Sequence, residues 1–172
     1  MTRTGLQRTP IRILLTVLTL AMMAVIFGFS REPAARSDRR SGGVSQVVVD
    51  VAYPDYPQYS EEKQKTVFNQ VQHIVRKCAH FTEYAMLGLL MRLCLESWVG
   101  RRKWLIPVSW LGGTLYAVTD ELHQLQIDGR SGQWTDVLLD SAGVLTGVLI
   151  ISLVLALIRK KNEKGSPETE CP

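Results

Sequence analysis

Cysteine is scarce in this chain, and its three copies are poorly placed for a disulfide framework. On one predicted helix Cys78 and Cys94 stand about 24 Å apart along the axis at 1.5 Å rise per residue, beyond disulfide reach. Cys171 lies in the polar C-terminal stretch. No paired-cysteine metal motif is present, and there is no internal repeat. Gly129-Arg130-Ser131-Gly132 lacks the second glycine position of a nucleophile elbow. The pattern of two histidines four apart around a glutamate, which holds metal in one class of hydrolases, is missing as well. Neither a cofactor nor a metal is expected. Charge of one sign is also in short supply: the net is only +4. Its basic clusters sit at the edges of apolar runs, where they suit anionic lipid head groups, so no nucleic-acid partner is expected.

What the chain does have is uninterrupted apolar sequence. Its 46% hydrophobic content would suit a soluble domain, but the distribution would not. From Ile11 to Phe29 the only interruptions are Arg12, two threonines and a glycine; from Trp104 to Val118 there is no charge; from Val137 to Ile158 the sole charge is Asp140. A spanning helix needs about 20 mostly apolar residues. Four segments meet that length, roughly 11–29, 78–98, 104–122 and 135–158. The expected fold is therefore all-α, an integral membrane bundle of about four transmembrane helices with a long extracytoplasmic loop after the first.

The basic start with Arg3, Arg8 and Arg12 also fits a signal peptide, but the apolar run is longer than a signal core and weakly patterned for cleavage. An uncleaved anchor over 1–30 is expected. Lys and Arg are almost evenly shared between the two sides, so the tight clusters decide orientation: Arg101-Arg102-Lys103 and Arg159-Lys160-Lys161, against Arg130 alone between the last two spans. Both termini are then cytoplasmic. The localisation expected is the bacterial cell membrane, multi-pass.

Residues 31–72 form the extracytoplasmic linker and amphipathic segment. Residues 31–45, rich in Arg, Ser, Gly and Ala, are expected to be a flexible linker. Val47-Val48-Val49-Asp50-Val51 predicts a short strand. Tyr53, Tyr56 and Tyr59, interspersed with Pro54 and Pro57, cannot form a helix and suit the head-group region. From Ser60, a good N-cap, Glu61 and Glu62 followed by Val67, Phe68, Val71, Ile74 and Val75 predict an amphipathic helix running into the second span. Residues 73–158 make a three-helix membrane domain, and 159–172 a disordered cytoplasmic tail.

Ionisable groups inside apolar spans are expensive and mark functional sites by default. Here they follow helical stripes. Lys77, His80, Glu83 and Tyr84 neighbour one another on the second span. Gly113, Tyr116, Asp120 and His123 step along the third. Asp136, Asp140, Gly143 and Gly147 step along the fourth, where the small-xxx-small pair marks the face of closest packing. That stripe is assigned to packing within one chain. By topology the starts of spans two and four and the end of span three share the extracytoplasmic side, so the polar ends coincide.

The ordered pattern Lys77-x-x-His80-Phe81-x-Glu83-Tyr84-x-x-Leu87-Gly88, then Tyr116-x-x-x-Asp120-Glu121-x-His123-Gln124, then Gly129-Arg130 with Asp136, Asp140 and Gly143, resembles the VanZ-like family. That family is named after a protein linked to low-level teicoplanin resistance. The resemblance covers about residues 70–158. Members usually carry Phe where this chain has Gln126 and Pro where it has Asp128. The resemblance implies a multispanning, membrane-embedded protein, and supplies no established reaction.

Three functions fit the residues. As an enzyme, the site would draw general acids and bases from His80, Glu83, Asp120, Glu121, His123 and Asp136. Lys77, Tyr84, Tyr116, Gln124, Arg130 and Asp140 would bind, with Lys77, Arg130 and Arg76 holding a phosphate or carboxylate. The substrate class would be a lipid-linked envelope intermediate. As a binding protein, the same cluster would grip a membrane lipid, a lipid-linked envelope precursor or a lipoglycopeptide without chemistry. As a scaffold, the charges would lock the helices in register.

Overall fold

A computed structural model describes residue 6 and residues 8–127 and 133–164. Among these residues the chain forms five α-helices and no strand: α1 (Thr9–Ser30), α2 (Ala34–Ala52), α3 (Glu61–Val99), α4 (Leu105–Gln124) and α5 (Trp134–Lys164). A proline in the first positions of α1 stands where its missing N–H is not needed. Glu61 and Glu62 in the first turn of α3 complement the helix dipole. Ser60 takes the N-cap position there, but its hydroxyl makes no capping bond. Gly100 ends α3 at φ 74 and ψ −174, an extended positive-φ conformation open essentially to glycine. With 39 residues, α3 is about 58 Å long, nearly twice the ~30 Å hydrocarbon core of a bilayer. The amphipathic segment and the second apolar run are thus one continuous helix.

The segment after α1 differs from its sequence expectation. Residues 34–52 are helical, so the flexible linker over 31–45 and the strand over Val47–Val51 are both replaced by α2. Val44, Val47, Val48 and Val51 carry the i, i+3, i+4, i+7 spacing of a helix. An isolated strand would leave its backbone groups unpaired, since no strand partner exists among the described residues. Burying Ser45 and Val49 on one face instead gives α2 a surface to lay against α3. Pro54 follows the end of α2, and Tyr56–Gln58 closes a single 3-10 turn before α3. At the other terminus α5 runs through its basic residues to Lys164, further than a tail disordered from 159 would allow; residues 165–172 lie outside the described residues.

The closest packing lies between α3 and α5. A Cβ on Gly143 would meet the Phe81 carbonyl, one on Gly147 the Ala85 carbonyl, and one on Gly88 the Val144 carbonyl. The small-residue stripe of α5 therefore packs within the chain, as expected. Gly113 of α4 admits the Val144 side chain. Between α4 and α5, Trp110 Nε1 donates to Ser141 Oγ at 3.0 Å, and Thr114 and Ser141 share a hydrogen bond at 2.9 Å. Ile26, Tyr84, Leu87, Ala117, Val144 and Val148 form the core where α1, α3, α4 and α5 meet.

Two of these helices, α1 and α5, are long and apolar enough to cross a membrane. The other two expected spans are long enough but more polar: 78–98 carries Glu83, Arg92 and Glu96, and α4 carries Asp120 and Glu121. These charges are buried or half-buried, and helices that hide their polar groups against neighbours need less apolar surface of their own. One such group lies far from the sequence-derived stripes. Arg92 and Glu96 are both almost fully buried near the end of α3. Arg92 Nη1 stands 2.7 Å from Glu96 Oε2, off the line of a normal hydrogen bond, and Arg159 of α5 pairs with Oε1 of the same carboxylate.

Candidate functional site

At the opposite end of the bundle from Arg92, the C-termini of α1 and α4 meet the N-termini of α2 and α5 and the middle of α3. At 100° per residue the charged positions of α3 do not share one direction. Lys77 and Tyr84 differ by only about 20°, whereas His80 lies about 60° and Glu83 about 120° from Lys77. The expected single cluster therefore divides into an interior group and a groove-lining pair.

The interior group joins four helices. Lys77 of α3 pairs with Asp136 of α5. Asp140, one turn further along α5, is 2% exposed, and its Oδ1 has no hydrogen-bond partner. Asp120 of α4 is equally buried; its Oδ2 accepts from Ser30 Oγ of α1 at 2.6 Å and from Gln124 Nε2 at 3.1 Å. Gln124 Nε2 also reaches Ser30 Oγ at 3.3 Å. Tyr84 is fully buried, in the electrostatic field of Asp120 and Asp140. Its hydroxyl and Asp120 Oδ1 both lack a hydrogen bond of normal geometry. Glu121 acts locally, because its Oε1 accepts from the Gln133 backbone N–H at 2.7 Å and so holds the start of α5.

Two expected members turn towards α1, Tyr116 while its ring stays 6.3 Å from that of Tyr84. Tyr116 donates its hydroxyl to the Met23 carbonyl of α1 at 2.6 Å. His123 stacks on Phe27 of α1, ring centroids 4.8 Å apart. The helical step explains this: relative to Gly113, Asp120 is rotated by only about 20°, but Tyr116 by about 60° and His123 by about 80°, towards α1. Arg130 and Gly129 lie outside the described residues.

His80 and Glu83 line a groove of about 770 Å³ between α2 and α3, together with Arg40, Arg76, Glu32 and apolar side chains of both helices. The cations on this groove are engaged. Arg40 pairs with Glu32 at 2.5 Å and lies over the Phe29 ring, and Arg76 pairs with Asp38 at 2.9 Å. Glu83 feels both Asp120 in the interior and Arg40 in the groove, so it stands electrostatically between the two groups. Among the described residues no cluster of three or more His, Cys, Asp or Glu has the geometry to hold a metal ion.

Sequence reasoning missed several participants. Ser30 ends an apolar run and carries no pattern of its own. Glu32, Asp38 and Arg40 became relevant only because their segment is helical. Arg92 and Glu96 did carry a signal, an i,i+4 charge pair inside an apolar run.

A family model described as VanZ/LLP1 matches residues 15–156 of the chain. No curated protein and no solved structure matches it.

Proposed function

Because the chain belongs to the VanZ/LLP1 family and two of its helices are long and apolar enough to cross a membrane, we propose that it is a multi-pass protein of the bacterial cell membrane that captures an envelope ligand at the outer face. On this reading the chain crosses four times, through residues 11–29, 78–98, 104–122 and 135–158, with both termini cytoplasmic. The anchor over 1–30 and the three-helix domain over 73–158 act as one bundle, and α2 with the first half of α3 rises outside the membrane as a helical hairpin. The supporting observation is the groove that His80 and Glu83 line between α2 and α3. It places ionisable groups beside an apolar wall, the arrangement that suits an amphiphile. Behind it the Lys77–Asp136 pair and the Ser30–Asp120–Gln124 hydrogen bonds hold the helices in position. Capture of a lipid-linked envelope precursor or of a lipoglycopeptide then accounts for the link of the family's namesake to teicoplanin resistance.

A second reading draws on the same pair. His80 and Glu83 face one groove and would serve as base and acid on a bound ester. A deletion strain complemented with wild-type or His80→Ala protein separates the readings when lipid and cell-wall precursor pools, teicoplanin susceptibility and protein abundance are measured together. Capture predicts that His80→Ala loses the envelope phenotype at normal abundance, with no product pool missing. A product that disappears with the deletion and returns only with wild type selects the enzyme. Full complementation by His80→Ala contradicts both.

A further inference from the structure

The end of the bundle away from the groove holds a buried charge that does not balance. Glu96 of α3 is shared there by two arginines, Arg92, 4% exposed, and Arg159 of α5, whose side chain is 26% exposed. The other buried carboxylates, Asp120, Glu121 and Asp140, belong to the opposite end. Arginine stays protonated inside proteins, so burial does not discharge either cation, and the three side chains together carry a surplus of one positive charge. The two guanidinium groups lie in each other's electrostatic field. Arg92 Nε and Nη1 are buried without a hydrogen bond, so the single carboxylate does not satisfy even the cation one turn from it.

Arg159 is the open member of the group. Leu157 and Ile158, just before it on α5, are exposed apolar residues, and Lys160 and Lys161 follow it. Arg101 and Arg102 follow α3 at the same end. On the four-span reading this change from apolar to basic surface sets Arg159 at head-group depth, where basic pockets between spanning helices hold lipid head groups. A phosphodiester bears one negative charge, which matches the surplus, and its two free oxygens suit the guanidinium fork. A zwitterionic lipid carries its own cation and gains less.

We propose that Arg159, backed by Arg92 and Glu96, binds the phosphodiester of an anionic phospholipid, with the acyl chains against Leu157 and Ile158. This rests on the four-span reading and is independent of what the groove captures. Arg159→Leu removes the surplus charge and leaves Arg92 and Glu96 as a neutral pair. Arg159→Gln also removes it but keeps a donor for Glu96, and it carries the test should Arg159→Leu not fold. Lys160→Leu removes an exposed cation of the same cluster.

The test equilibrates the full chain in detergent micelles with an equimolar mixture of phosphatidylglycerol and phosphatidylcholine. Retained lipid is read by native mass spectrometry, with thermal midpoints as the check on folding. Wild type is expected to keep phosphatidylglycerol over phosphatidylcholine about tenfold, equivalent to about 1.4 kcal/mol. The preference is expected to disappear in Arg159→Leu and Arg159→Gln, and to fall no more than about twofold in Lys160→Leu. Equal retention of the two lipids by wild type overturns the site. An equal loss in Lys160→Leu assigns the preference to the basic cluster as a whole and overturns it too. Displacement of the lipid by inorganic phosphate at matched concentration makes the ligand a free anion and overturns the lipid assignment. Failure of the four-span reading looks different, because the chain then retains neither lipid.

Discussion

Gly147→Leu is expected to leave almost no folded monomer after detergent extraction. A Cβ at this position runs into the Ala85 carbonyl and approaches the Leu89 backbone nitrogen at 3.0 Å. Both are backbone atoms inside α3, so no side-chain rotation relieves the clash, and α3 and α5 must move apart. Overpacking of this kind costs about 1–3 kcal/mol and more where the backbone must shift. The separation would also undo Gly143 on Phe81 and Gly88 on Val144, which belong to the same interface. Only a cost beyond that range, from a backbone shift that undoes all three contacts at once, approaches the lower end of a total stability of about 5–15 kcal/mol, and that is the cost expected here. Gly28→Ala in α1 is the control, because nothing lies within 4 Å of its added Cβ; it should lose no stability and gain at most about 1 kcal/mol from the better helix propensity of alanine. Size-exclusion profiles and thermal midpoints of the two variants check the pair.

Glu96→Leu is the second large effect. Glu96 is the ion-pair partner of both Arg92 and Arg159, and Arg92 is 4% exposed. Removing one partner from a buried ion pair costs about 3–5 kcal/mol, because the remaining charge stays desolvated. Replacing both buried members by apolar groups is often neutral or better. The double variant Arg92→Leu/Glu96→Leu is therefore expected to regain most of the stability that Glu96→Leu loses, leaving only the more exposed Arg159 to reach water. A thermal midpoint of the double variant no higher than that of Glu96→Leu would assign the loss to packing instead of charge.

The elements that were legible in the sequence are those set by long-range composition. The four apolar runs correspond to α1, the later half of α3, α4 and α5, and the stripe Gly143/Gly147 correctly marked the closest helix contact. Less legible was α2, because Arg, Ser and Gly weaken its helical preference and its stabilising surface comes from α3. Val47–Val51 has high β-propensity locally, and tertiary context overrode it. The candidate site was legible as a set of residues but not as a geometry. Helical spacing put Lys77, His80, Glu83 and Tyr84 on one face, yet the 120° between Lys77 and Glu83 is enough to send one into the interior and the other to a groove. The same drift along α4 carried His123 away from Asp120 and onto Phe27. Stripes of polar residues survive as one site only where a single neighbour covers the whole stripe, and here both α3 and α4 touch several helices.

The account depends most on the groove facing the outside of the cell. Ser37 lines it on α2, and Lys161 lies in the basic C-terminal stretch of α5. In a background without native cysteines, single Ser37→Cys and Lys161→Cys proteins can be labelled in intact cells with a membrane-impermeant maleimide. The account predicts that Ser37→Cys reacts in intact cells and Lys161→Cys only after permeabilisation. Labelling of Lys161→Cys in intact cells, with Ser37→Cys protected until permeabilisation, would contradict it.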